Sequence, residues 1–411
     1  MTWTRRDFLV AAGCAALGAT PPSSLGLAAG LPTGGMDSFD VLVRQGRLVD
    51  PAQGLSAIGD LGIKDGRIAR IAETLPQGEA TRVVDASGRI VTPGLIDSHV
   101  HVYDGVSSVA IQPDVVGVAR GVTTLVDAGS AGSTTFPGFR RYVVPQARTR
   151  VFALLNVSRP GLTLSNELAD LSYVDVGAAV QTIVQNRDIV VGIKVRMLDG
   201  IPDGADVEVM QRSREIGDQA GVPLMVHIGG QSSPLPRILD FLRPGDVVTH
   251  AMRQRGSILD ANGRIHPEVF ELVRNGVYLD VGHGRGNLDF DVAEAVLDQG
   301  LLPDVISSDV HRGNVAGPVF DLPTTLSKFM QLGMTLEQVI KCATEVPARI
   351  FDFRASLGTL REGVPADISI FDMVDGLHEF EDSGGKRRTG EVRLVPYLAF
   401  RDGHPLGQAD R

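Results

Sequence analysis

Asp97-Ser98-His99-Val100-His101 places two imidazoles two positions apart. On a β-strand, residues i and i+2 point to the same side, so both rings can reach one ion. A single pair of this kind is a weak signal, because structural histidines also produce it. The chain has nine histidines, and the spacing of the other candidates is more informative. From His101 to Lys194 is 93 residues, followed by 33 to His227, 23 to His250 and 59 to Asp309. A (β/α)8 barrel repeats about every 31 residues, its typical size divided by eight. The intervals correspond to three units, one unit, one short unit and two units. Each candidate then falls at the C-terminal end of its own strand, at the first, fourth, fifth, sixth and eighth positions. That rim is where barrel active sites lie.

His227 or His250 alone reads as a hydrogen-bonded core histidine. Lys194, inside Val190-Val191-Gly192-Ile193-Lys194-Val195, is harder to explain. A lysine in the middle of a buried strand is costly unless paired or modified. Asp309 after Ile306-Ser307-Ser308 poses the same problem. A divalent metal held by the whole set would compensate all of them.

The elements that must position these residues are legible as a pattern. Short Val- and Ile-rich strands at 94–101, 123–128, 151–157, 190–196, 223–228, 247–251, 277–281 and 305–309 alternate with helical stretches. Together they predict an α/β (β/α)8 TIM barrel over residues 93–350. The flanking segments read as β. Asp40–Val43 and Arg47–Asp50 look like two short strands around a Gln45-Gly46 turn, and Ile63–Ile68 is a hairpin with an Asp65-Gly66 turn. Ala366–Asp372, Gly390–Pro396 and Tyr397–Arg401 alternate as strands near the other end. Neither segment is large enough to fold alone, so residues 37–92 and 351–411 are expected to build one small β-sandwich domain from both ends of the mature chain.

Pro93-Gly94-Leu95-Ile96-Asp97-Ser98-His99-Val100-His101 resembles the first-strand motif of the amidohydrolase superfamily. Leu357-Gly358-Thr359-Leu360-Arg361-Glu362-Gly363-Val364-Pro365-Ala366-Asp367-Ile368 is similar to the return into that family's β-sandwich. The resemblance covers nearly all of the mature chain and points to the binuclear, dihydroorotase-like branch. It implies that His99, His101 and Asp309 hold one ion, that His227 and His250 hold the other, and that carbamylated Lys194 bridges them. Carbamylation would turn a buried cation into an anionic oxygen ligand. Two divalent ions sharing a water lower its pKa enough to give hydroxide near neutral pH. Asp309 would take that proton and pass it to the leaving oxygen or nitrogen. Nitrogen and oxygen ligands suit Zn2+, with manganese, cobalt and iron as alternatives.

Gly282-His283-Gly284 and Ser308-Asp309-Val310-His311 are similar to the deacetylase branch, whose members act on acetylated hydroxy acids or N-acyl amino acids. That branch has Ala-Arg-Met after its bridging lysine. This chain has Val195-Arg196-Met197, which keeps the arginine. Ile228-Gly229-Gly230-Gln231 departs from the branch pattern and leaves the substrate open. Arg196 faces the same side as Lys194 and is shaped either to hold a substrate carboxylate or to pair with a barrel aspartate. His283 between two glycines reads as a substrate contact rather than a metal ligand. His311 and Tyr103 are weaker candidates near the mouth.

The function expected is a metal-dependent hydrolase that cleaves an acyl ester or amide bond, a deacetylase of small acylated acids. A cyclic amidase of the dihydroorotase or hydantoinase type is the alternative, and a non-catalytic barrel that only binds is a second. A full ligand set argues against the latter.

Residues 1–30 read as a signal peptide of the twin-arginine type, with Arg5-Arg6 before Phe8-Leu9 and an apolar run too short to span a bilayer. The alternative is a mildly hydrophobic N-terminus. The expected location is periplasmic or secreted. That route carries folded proteins, so export machinery is an expected partner, beside a small-molecule substrate able to carry a carboxylate. No integral membrane segment is expected after signal removal, and a homo-oligomer is compatible with the sequence. The chain has 411 residues, 43% of them apolar, and a formal net charge of −10. An acidic chain argues against nucleic acid as a partner. Once Cys14 leaves with the signal, Cys342 is the lone cysteine and no internal disulfide can form.

Overall fold

A computed structural model describes residues 38–198, 200–353 and 355–406. The expected signal peptide lies outside the described residues. Seven parallel strands follow one another in order, each paired with the next: Leu95–Val100, Val122–Gly132, Arg150–Asn156, Val190–Arg196, Leu224–His227, Val247–Thr249 and Tyr278–Asp280. They are buried almost throughout, as apolar strands covered on both faces must be.

The expected eighth strand, 305–309, is not a ladder. The chain closes the barrel there through two isolated parallel bridges, Asp280 to Val305 and Val100 to Val310. The cause is local. Asp309 turns into the left-handed region at φ 46°, and the main chain is pinned instead by Asp309 N to the His99 carbonyl at 2.7 Å. His250, just past the sixth strand, is also left-handed, at φ 68°. Non-glycine residues held this way cost roughly 1–3 kcal/mol and persist where surrounding structure over-determines them. Both turn their side chains at the barrel mouth.

The two ends of the chain meet in a second, eight-stranded sheet. Ile90–Pro93 pairs antiparallel with the start of Ile368–Glu381, which joins the N-terminal strands to the C-terminal ones. Its core includes Leu48, Ile63, Leu360, Ile368 and Phe400. The two short strands expected around Gln45-Gly46 are one strand, Phe39–Asp50, with a bulge. Gln45 takes a positive φ of 57° without breaking the strand. Gly46 is required there, because a Cβ would lie 2.4 Å from Val91 Cγ2. The hairpin at Asp65-Gly66 is as the sequence predicts, with φ of 50° and 74° at its two turn residues.

The C-terminal strands are longer than their sequence pattern suggests. Ile368–Glu381 and Arg387–Arg401 form one long hairpin. Its tip docks on the loop after the seventh barrel strand. Asp382 Oδ2 accepts from Phe290 N at 2.9 Å, and Ser383 N donates to the Leu288 carbonyl at 3.0 Å. The helix Leu322–Gln331 lies against this hairpin and is buried on nearly all sides. Cys342 is buried and free. No helix among the described residues is long and apolar enough to cross a membrane.

Candidate metal centre

The six expected ligand residues are all buried at the barrel mouth. His99, His101 and Asp309 form the tightest group, with ligand atoms within 4.8 Å of one another. Asp309 Oδ1 lies 3.3 Å from His101 Nε2 and 3.6 Å from His99 Nε2. Lys194 Nζ donates to His99 Nε2 at 2.8 Å. The His250 ring centroid is 5.0 Å from that of His99, and the His227 ring is 4.0 Å from His250. The six side chains are therefore contiguous, with His227 at the far end from Asp309.

Buried partners aim the rings. Thr249 Oγ1 gives its proton to Asp280 Oδ2 at 2.6 Å, so it accepts from His99 Nδ1 at 3.0 Å. This leaves His99 Nε2 with its lone pair toward the cluster. His250 Nδ1 donates to the Gly282 carbonyl at 2.7 Å, which frees its Nε2 in the same way. His101 Nδ1 lies 3.0 Å from Ser130 Oγ. Orientation of a ligating histidine through its second nitrogen is the usual arrangement at metal sites. Asp97, within the first strand, accepts from Ser308 N at 3.0 Å and from Ser308 Oγ, which fixes the segment leading to Asp309.

The electrostatics favour ligand forms. Burial, then Lys194, lowers the pKa of His99 to about 4. Burial holds His227 and His250 well below the usual imidazole range. All three are neutral at pH 7. Burial pushes the Lys194 ammonium down to about 7, against the pull of Asp309 and Asp280. Burial alone would raise Asp309, but the pull of His99 and His101 outweighs it and holds the carboxyl ionised. Its buried Oδ1 has no hydrogen-bond partner. An unsatisfied carboxylate oxygen at this depth is costly unless a cation takes it. Together with neutral imidazoles and a lysine near its neutral point, the donor set fits divalent metal.

The two expected substrate contacts are placed differently. Arg196 is held edge-on by Glu167, with Nε and Nη2 donating to its two oxygens at 2.6 and 2.7 Å. The partner is a glutamate rather than an aspartate, and among the described residues nothing takes a hydrogen bond from Nη1. His283 is fully buried. Its Nε2 accepts from Lys328 Nζ at 2.6 Å, so this nitrogen does not face a substrate. His283's place is instead in the wall: the glycines beside it let the loop close on the centre. A Cβ on Gly282 would meet His250 Nδ1 at 2.7 Å, and one on Gly284 would meet Asp309 Oδ2 at 2.3 Å. Tyr103 donates to the Thr135 carbonyl at 2.9 Å. The His311 ring lies 6.4 Å from His101.

Sequence reasoning missed Glu167, Asp280 and Lys328. Lys328 left a signal, as the single charge in the otherwise uncharged run from Leu322 to Phe329. Glu167 and Asp280 left none, because nothing in sequence couples them to Arg196 and His99.

Known proteins match this chain in both sequence and fold. The amidohydrolase family pattern matches residues 249–392. A curated relative from Agrobacterium fabrum named deacetylase Atu3266 is 37% identical over 325 residues, which is 78% of this chain and 80% of that one. A crystal structure titled an adenine deaminase matches with TM-score 0.84 at 32% identity, covering 90% of this chain and 100% of that chain. A second, titled a dihydroorotase, matches with TM-score 0.82 at 34% identity, covering 89% and 97%. The expected superfamily is thus found both in sequence and in fold: the chain belongs to the amidohydrolase family.

Proposed function

We propose that this chain is a binuclear-metal deacetylase that hydrolyses the acyl ester or amide bond of a small acylated hydroxy acid or N-acyl amino acid. The observation that carries the reading is Asp309 Oδ1, buried without a partner between the Nε2 atoms of His99 and His101. The relative at 37% identity is named a deacetylase, which supports removal of an acetyl group.

His99, His101 and Asp309 would hold one ion and His227 and His250 the other, with carbamylated Lys194 shared between them. Bound there, the ions would supply Lewis acidity toward the scissile carbonyl and toward water, and zinc suits the donor set. Asp309 receives the proton that water loses as its oxygen bonds to the acyl carbon. The carboxyl then returns that proton to the leaving oxygen or nitrogen as the acyl bond breaks. Acetate and the free hydroxy or amino acid result. Arg196, steadied by Glu167, offers Nη1 to the substrate carboxylate. Arg5-Arg6 supports export of the folded, metal-loaded enzyme to the periplasm or the medium.

A panel of N-acetyl amino acids, acetylated 2-hydroxy acids and cyclic imides tests this with zinc-loaded enzyme. Turnover of one of the first two classes is expected with kcat/KM of about 10⁴ M⁻¹s⁻¹ or higher. Opening of cyclic imides alone would replace the reading with a cyclic amidase.

A further inference from the structure

A cavity of about 620 Å³ lies between the long C-terminal hairpin, the helix Leu322–Gln331 and the loop preceding that helix. It shares none of the six residues of the metal centre. Its volume is that of a small-ligand site.

The charges around it are unevenly used. Lys328 reaches the cavity but spends its three protons on His283 Nε2, the Pro318 carbonyl and the Glu381 carbonyl, at 2.6, 2.8 and 2.7 Å. The acidic side chains of the wall are matched elsewhere: Glu379 and Glu381 both pair with Arg387, at 2.9 and 3.3 Å. Arg393 is different. Its Nη2 donates to Thr324 Oγ1 at 3.3 Å, its Nε is sealed inside the fold, and its Nη1 has no hydrogen bond among the described residues. With Glu379 and Glu381 sharing Arg387 and the Nη1 of Arg393 without a hydrogen bond among the described residues, this guanidinium is shaped to take a carboxylate at the cavity.

The remaining wall is mixed: Leu377 and His378 line it from the hairpin and Phe320 from the loop, while Phe380 is buried behind it. Phe320 is held at φ 63°, a region that bulky residues rarely enter. Strain of this kind gathers at ligand clamps. The same loop is tied to the metal centre. Phe320 N donates to the Asn314 carbonyl at 3.3 Å, and Asn314 Nδ2 donates to the Asp309 carbonyl at 2.9 Å.

We propose that this cavity is a second binding site, which takes a small organic acid with its carboxylate on Arg393 and its apolar body against Phe320 and Leu377. Nothing in the deacetylase reading requires it, and its test does not depend on the enzyme's substrate.

The probe is 4-fluorobenzoate, titrated into the zinc-loaded full chain and followed by fluorine NMR, with 4-fluorobenzamide as the uncharged control. Saturable binding of the acid and none of the amide is expected. Arg393→Gln should weaken binding by about tenfold or more, the effect of losing one charge-assisted contact, with metal content and melting temperature kept. If that variant does not fold, Phe320→Ala carries the same test and should also weaken binding. Excess acetohydroxamate, which chelates a metal centre, should leave the affinity unchanged. Undiminished binding by the folded variant, displacement by acetohydroxamate, or no binding of the acid at all would overturn the proposal.

Discussion

Lys194 Nζ donates a 2.8 Å hydrogen bond to His99 Nε2, joining the first and fourth barrel strands inside a fully buried site. Burial brings the Lys194 pKa down to about 7, so near neutral pH much of the amine carries a lone pair. Only that neutral form attacks carbon dioxide. Below pH 7 the ammonium dominates and carbamate forms more slowly. Metal-stripped enzyme is therefore expected to take up zinc faster when bicarbonate is added. At fixed dissolved carbon dioxide, the rate should climb between about pH 6 and 8 and level off above. Uptake followed with a zinc indicator, and found indifferent to bicarbonate, would remove the carbamate from the account.

Asp309 and His227 should fail in different ways. Asp309→Asn keeps the shape and one ligand oxygen but cannot carry a proton. Metal content should be largely retained while kcat falls by roughly 10²–10⁴-fold, with a smaller loss for activated phenyl esters. His227→Asn should instead lower metal occupancy and lose activity on every substrate alike. Metal analysis beside steady-state kinetics separates the two, and near-normal turnover of an unactivated substrate by metal-loaded Asp309→Asn would leave Asp309 a ligand only.

Arg196 tests the substrate class. With Nε and Nη2 committed to Glu167, and Nη2 also to the Ser165 carbonyl, its Nη1 is left for one carboxylate. Arg196→Gln is expected to lower kcat/KM for an N-acetyl amino acid by about 10–100-fold, while a neutral acetate ester changes by less than about threefold. Equal losses on both substrates would make the pair with Glu167 purely structural.

The candidate residues were legible as a group because barrel strands recur along the chain, their starts 23 to 40 residues apart. Counting in such units put His99, His101, Lys194, His227, His250 and Asp309 near strand ends, and the resemblance to the amidohydrolase superfamily supplied their roles. The closing strand could not be. Val305 and Ile306 look like those of any buried strand, and only the pinning of Asp309 N to the His99 carbonyl shows why pairing stops there. The roles of Arg196 and His283 depend on which side chain lies opposite. Glu167 and Lys328 come from distant segments, with no periodic relation to the strands. The long hairpin was hidden for a similar reason. Its middle is anchored by tertiary contacts, and its exposed Val374 and Leu377 break the alternation expected of a strand.

The loop glycines give a steric test. A methyl at Gly284 would sit 2.3 Å from Asp309 Oδ2, on a residue at φ 49°. Gly284→Ala should therefore displace the carboxyl and lower kcat by at least about tenfold, since misplacement by an ångström can cost two orders of magnitude. Gly286→Ala, where a Cβ meets nothing within 4 Å, should leave kcat near wild type and serves as the control. Equal kinetics in the two variants would show that the loop does not press on Asp309.

The central claim is that six residues, from four barrel strands and the segment that closes the barrel, hold two ions. Anomalous diffraction from crystals of zinc-loaded enzyme, recorded at the zinc edge, tests it most directly. The account predicts two peaks about 3.5–4 Å apart, one beside His99, His101 and Asp309 and the other beside His227 and His250, with carbamate density on Lys194 between them. A single peak, or an unmodified Lys194 still hydrogen-bonded to His99 in the loaded enzyme, would contradict it.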